Sequence, residues 1–94
     1  MSELVQRAHV IFHGRVQGVG FRYTVSRAAT AYENVTGIVS NLPNGTVELI
    51  AEGSTTDITA LLSDIRGEMA RYITDMQTEV AETYRAYKSF SIGY

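Results

Sequence analysis

Apolar and polar positions alternate from Arg7 to His13: Ala8, Val10 and Phe12 fall on one side, His9, Ile11 and His13 on the other. A period of two predicts a strand, and apolar residues on both sides suit a central one. From Phe21 the period lengthens. Phe21, Val25, Ala28, Ala29 and Tyr32 recur at helical spacing with Arg27 and Glu33 opposite, which predicts a helix closed by a left-handed residue at Asn34. A second strand runs from about Val35 to Asn41, and Leu42-Pro43-Asn44-Gly45 is turn chemistry. The returning strand, Thr46 to Gly53, puts Val47, Leu49 and Ala51 on one face and Glu48, Ile50 and Glu52 on the other, completing a hairpin. Ser54-Thr55-Thr56-Asp57 opens a second helix with an apolar stripe of Ile58, Leu61, Leu62, Ile65 and Met69, and Gly67 marks its stop. Tyr72 to Thr83 is rich in Thr, Val and Ile; its imperfect alternation predicts a strand with a bulge. Ser89 to Tyr94 alternates cleanly, as a short edge strand would.

The predicted order is β-α-β-β-α-β plus a C-terminal strand. That order describes an α+β fold, the ferredoxin-like sandwich, with two helices on one face of an antiparallel sheet, in a single domain over residues 1–94. In this topology the first two strands are parallel with the third between them, so their C-terminal ends share one edge of the sheet. Two strand spacings separate those ends by roughly 10 Å. The first ends in Gly14-Arg15-Val16-Gln17-Gly18-Val19-Gly20, the second in Asn41.

The loop changes the picture from architecture to chemistry. Its glycines let the backbone turn tightly and aim N–H groups inward. The helix that follows adds partial positive charge at the same spot. Arg22 then brings a planar cation with five donors into the first helical turn. Together these suit a phosphoryl group. A glycine-rich loop alone reads as a tight turn, and Asn41 alone as a turn former before Leu42-Pro43. It is their placement at one sheet edge that points to a site.

Composition narrows the remaining classes. A hydrophobic content of 45% and charged content of 19% over 94 residues fit a globular chain. The net charge of −2 argues against a broad nucleic-acid footprint, and an RNA-reading sheet would need aromatics that the third strand lacks. There is no cysteine, which excludes disulfides, thiol nucleophiles and zinc–thiolate sites. No apolar run is long enough to span a bilayer, and Met1 to Arg7 lacks the pattern of a secretory leader; a cytoplasmic protein is expected. His9 and His13 sit on a strand without a carboxylate cluster at metal-ligand spacing, so neither a metal site nor a histidine base is expected. Ser26 has no base partner in view. Tyr72, Tyr84 and Tyr87 read as strand and edge packing, and Glu79 and Glu82 as a solvated face.

The run Gly14-Arg15-Val16-Gln17-Gly18-Val19-Gly20-Phe21-Arg22 resembles the first motif of the acylphosphatase family. Gly37-Ile38-Val39-Ser40-Asn41 with Asn44-Gly45-Thr46-Val47-Glu48 resembles the second, and Phe90 to Tyr94 is similar to the family's last strand. The chain departs in three places: Ile38 replaces a frequent Trp, the Tyr32–Val35 connection is longer, and a Gly-Pro is missing after the second helix. The resemblance implies hydrolysis of small-molecule acyl phosphates to carboxylate and inorganic phosphate by a monomer, without cofactor or metal and with phosphate as a competitive inhibitor. It implies that Arg22 and Asn41 are catalytic, and that the backbone of Gln17, Gly18, Val19, Gly20, Phe21 and Arg22 cradles the phosphate. A non-catalytic phosphate- or carbamoyl-phosphate-binding module of the same fold is the alternative. The motifs say little about the acyl tail.

Overall fold

A computed structural model describes residues 3–93. The chain order is β1 (Leu4–Gly14), α1 (Phe21–Ala29), β2 (Thr36–Asn41), β3 (Val47–Gly53), α2 (Thr55–Glu68), β4 (Ile73–Tyr84) and β5 (Phe90–Ile92). One five-stranded sheet runs in the order β4-β1-β3-β2-β5. β3 is antiparallel to both β1 and β2, so those two strands are parallel to each other and end together: Phe12 and Asn41 both lie opposite Val47. The expected sandwich is present, with one correction. β5 joins β2 in parallel, so the sheet is mixed. After β4 on one edge the chain must reach the other edge, and it enters beside β2 from the end where β2 begins.

The strand periodicities hold. Ala8, Val10, Phe12, Val47, Leu49 and Ala51 are fully buried on the face that the helices cover. From α1, Phe21, Val25 and Ala29 meet them; from α2, Ile58, Leu61 and Ile65. Burial of a large aliphatic or aromatic side chain contributes about 1.5–3 kcal/mol, so this layer dominates stability. Phe12 and Phe21 pack with ring centroids 4.9 Å apart at 58°, which seats the start of α1 over the end of β1. The expected bulge appears as a register shift between His13 and Gly14, opposite Asp75 and Ile73 of β4.

Both predicted helix ends move. Among the described residues no non-glycine has positive φ, so Asn34 is not a left-handed cap. Instead α1 tightens into three-residue turns, with N–H groups of Thr30, Ala31 and Tyr32 donating to the carbonyls of Arg27, Ala28 and Ala29. Gly67 lies inside α2, which is capped by Met69, whose N–H donates to the Ile65 carbonyl. Packing of Met69 into the core carries the helix past the glycine. The predicted start is correct: the Ser54 side chain accepts from the Asp57 N–H at 3.0 Å. Tyr94, assigned above to the last strand, and Met1 and Ser2 lie outside the described residues.

The other face of the sheet carries a feature that strand alternation alone conceals. Glu52 belongs to the polar face of β3, yet it is fully buried. Its carboxylate accepts from Arg7 Nε and Nη2 at 2.8 and 2.6 Å and from the N–H groups of Ala86 and Tyr87 at 2.8 and 2.9 Å. Burial alone would raise this carboxyl. The N–H donors of Tyr87 and Ala86 and the Arg7 guanidinium outweigh it and hold the group below its ordinary value. The connection from β4 to β5 is thereby pinned across the sheet.

Candidate active site

Two strand ends and one helix start define the site. Gly18 and Gly20 have φ of 76° and 77°, a left-handed conformation that side chains other than glycine rarely tolerate. Gly20 is the N-cap of α1 and supplies no side-chain hydrogen bond, and the first turn of α1 holds no acidic residue. The N–H groups of a first helical turn have no intrahelical acceptor. Among the described residues no side chain caps them, so they can face an anion with the helix dipole behind them.

A cavity of about 280 Å³ sits at this corner, lined by Val16, Gly18, Gly20, Phe21, Arg22, Tyr23, Asn41 and Ile92. Asn41 reaches it through strand geometry. It lies two residues after the fully buried Val39, hence on the same, helix-covered face, at the point where the apolar core ends. Ile92 pairs with Val39 from the other side. Arg22 follows Phe21, whose ring is anchored in the core, and its Nη1 donates to the Gly93 carbonyl at 2.9 Å. Among the described residues, Arg22 is the one charged side chain in the walls.

The structure thus brings together Arg22, Asn41, Gly18, Gly20 and Phe21. Gln17 and Val19 are not in the lining. Val19 packs against the core. The Gln17 amide donates to the carbonyls of Leu42 and Thr46 at 2.8 and 2.9 Å, clamping the glycine loop to the β2–β3 turn. That turn is itself fixed by Asn44, whose Oδ1 accepts from the N–H and hydroxyl of Thr46 at 3.1 and 2.6 Å. Arg15, the loop's other cation, turns onto the ring of Tyr72, 5.1 Å from its centroid. Sequence reasoning missed the Gln17 side chain, the Gly93 carbonyl and Tyr23. The adjacency of Tyr23 to Arg22 was the available signal for the last; the other two depend on distant partners.

The histidines are elsewhere. His9 Nε2 pairs with Glu48 Oε2 at 2.7 Å and His13 Nε2 with Gln77 Oε1 at 2.9 Å, both on the sheet face away from the helices. Among the described residues no group of three or more His, Asp or Glu side chains is placed to hold a metal ion, and no helix is long and apolar enough to cross a membrane.

Known proteins resemble this chain over nearly its whole length. The acylphosphatase family model matches residues 8–92. An acylphosphatase of Geobacillus thermodenitrificans is 40% identical over 91 residues, 96% of either chain. The crystal structure of acylphosphatase from Bacillus subtilis superimposes with a TM-score of 0.84 at 30% identity, covering 95% of this chain and 99% of that one. Full-length HypF in its phosphate- and nucleotide-bound form contains a similar unit, with a TM-score of 0.76 and 33% identity over 100% of this chain and 12% of that one.

Proposed function

The chain belongs to the acylphosphatase family and hydrolyses acyl phosphates to carboxylate and inorganic phosphate; from that premise we propose that the reaction runs in the cavity between the glycine loop and the end of β2. The observation that carries this reading is that one cavity gathers Arg22, Asn41 and the glycine turn at the start of α1.

In a phosphoryl transfer the negative charge spreads over three non-bridging oxygens in a loose transition state. In the proposed mechanism the open N–H groups from Gln17 to Arg22 donate to those oxygens, and the Arg22 guanidinium holds two of them at once. Gly93, by accepting from Nη1, restrains that guanidinium beside the loop. The Asn41 side-chain carbonyl accepts from the attacking water and sets it in line with the leaving group, a positional contribution. The oxygen–phosphorus bond to the acyl group breaks as the water oxygen bonds to phosphorus. The departing carboxylate has a pKa near ~4, so it leaves as an anion with no protein acid. A phosphate oxygen takes the water's proton. In this reading Arg22 and the amides meet the charge on the phosphoryl oxygens; the enzyme needs no metal and acts as a cytoplasmic monomer of one domain, and its phosphate product competes with substrate.

The test is hydrolysis of benzoyl phosphate by the purified protein in excess chelator, with phosphate as inhibitor. Turnover with competitive inhibition is expected. Phosphate binding without turnover would identify a non-catalytic phosphate- or carbamoyl-phosphate-binding module instead.

A further inference from the structure

The polar side of the cavity accounts for the phosphoryl group and the water; the apolar side has no role in that account. Four large apolar or aromatic side chains are exposed among the described residues, and Tyr23, 66% exposed, is the one that lines the cavity. Its position follows from helix geometry. Successive residues turn by about 100°: Phe21 enters the core, Arg22 meets Gly93, and Tyr23 faces out at the mouth. Ile92, carried by β5 beside Val39, supplies a second apolar wall, and the buried Val16 a third. Among the described residues, no carboxylate side chain and no lysine lines the cavity. With Arg22 and Asn41 engaged by the phosphoryl group and the water, a charged or strongly polar acyl tail meets no further polar side chain but the Tyr23 hydroxyl among the described lining residues. A flat apolar tail would gain contact area and an aromatic neighbour.

Resting on the site assignment above, we propose that Tyr23, with Ile92, forms the acyl-binding lip of this enzyme and selects acyl phosphates whose acyl group is aromatic over small aliphatic ones. Tyr23 is a specificity residue: it touches the tail and leaves the phosphoryl group to Arg22 and the amides.

Benzoyl phosphate and acetyl phosphate separate the two functions. The measured quantity is the ratio of kcat/KM for the two substrates, in the wild type and in Tyr23→Ala and Tyr23→Phe. Comparing ratios between variants cancels the intrinsic difference in reactivity of the two mixed anhydrides. Tyr23→Ala should lower the benzoyl-to-acetyl ratio by about fivefold, the scale of one aromatic contact, with the inhibition constant of inorganic phosphate unchanged. Tyr23→Phe should keep the wild-type ratio. The proposal is overturned if Tyr23→Ala leaves the ratio as it was, whether both substrates fall together or neither changes. Failure of the underlying site assignment looks different: phosphate would not compete with either substrate in the wild type, and both readings would then fall. Tyr23 is exposed, so loss of its ring leaves the core intact; a wild-type melting temperature in Tyr23→Ala confirms that the ratio reports the lip.

Discussion

Arg22 owes its place to neighbours on both sides: Phe21 buries its ring against Phe12, and the Gly93 carbonyl receives Nη1. Orientation is therefore set before substrate arrives, which is what an electrostatic contribution to catalysis requires. Arg22→Ala should lower kcat by a factor of about 10²–10³ and weaken phosphate inhibition together; Arg22→Lys should restore little, because a point charge cannot reproduce the two-pronged contact. Asn41→Ala should lower kcat while the phosphate inhibition constant stays put, a split that steady-state kinetics reads directly. The placement of both residues at one cavity was legible in the sequence, Arg22 from the loop before it and Asn41 from the strand order that carries it to the same edge. The Gln17 side chain was not, since both its acceptors lie at least 25 positions away. Gln17→Glu turns two donated bonds into a carboxylate facing two carbonyls and should cost about 1–3 kcal/mol in urea unfolding.

Element starts were easier to read than element ends. Ser54 caps α2 by a local bond, three residues long, that composition reveals; Ser54→Ala should cost about 1 kcal/mol. Helix ends depend on what the next residues pack against. Met69 is nearly fully buried, and that draws α2 beyond Gly67. Gly67 consequently occupies a helical, exposed position with nothing within 4 Å of where a side chain would begin. Gly67→Ala should stabilise the protein by about 0.5–1 kcal/mol, measurable as a higher urea midpoint with unchanged slope. For the last strand, alternation correctly indicated an edge, but pairing direction is a property of the route taken between edges, which no local pattern encodes.

At the scale of the whole molecule, Glu52 decides that route. Alternation placed it on the polar face of β3 and gave no sign of burial, because its cover comes from Ala86 and Tyr87, more than 30 residues later. Its folded carboxyl lies below the ordinary value of 4.5. The stability it contributes is thus fully present above about pH 4.5 and is lost as pH falls through the lower folded value. Melting temperature should drop on that acid side, and Glu52→Gln should flatten the drop. The bond from Arg22 to Gly93 spans 71 positions, and β5, which delivers Gly93, is three residues long and paired on one side to β2 alone. Contacts so distant in sequence form late in folding, and a short edge strand opens more readily than the strands between α1 and α2 and the sheet centre. Activity should therefore be the last property regained on dilution from urea and the first surrendered as urea rises. In mild denaturant a population with native helix content and an idle guanidinium would precede global unfolding, detectable as a catalytic midpoint below the circular-dichroism midpoint.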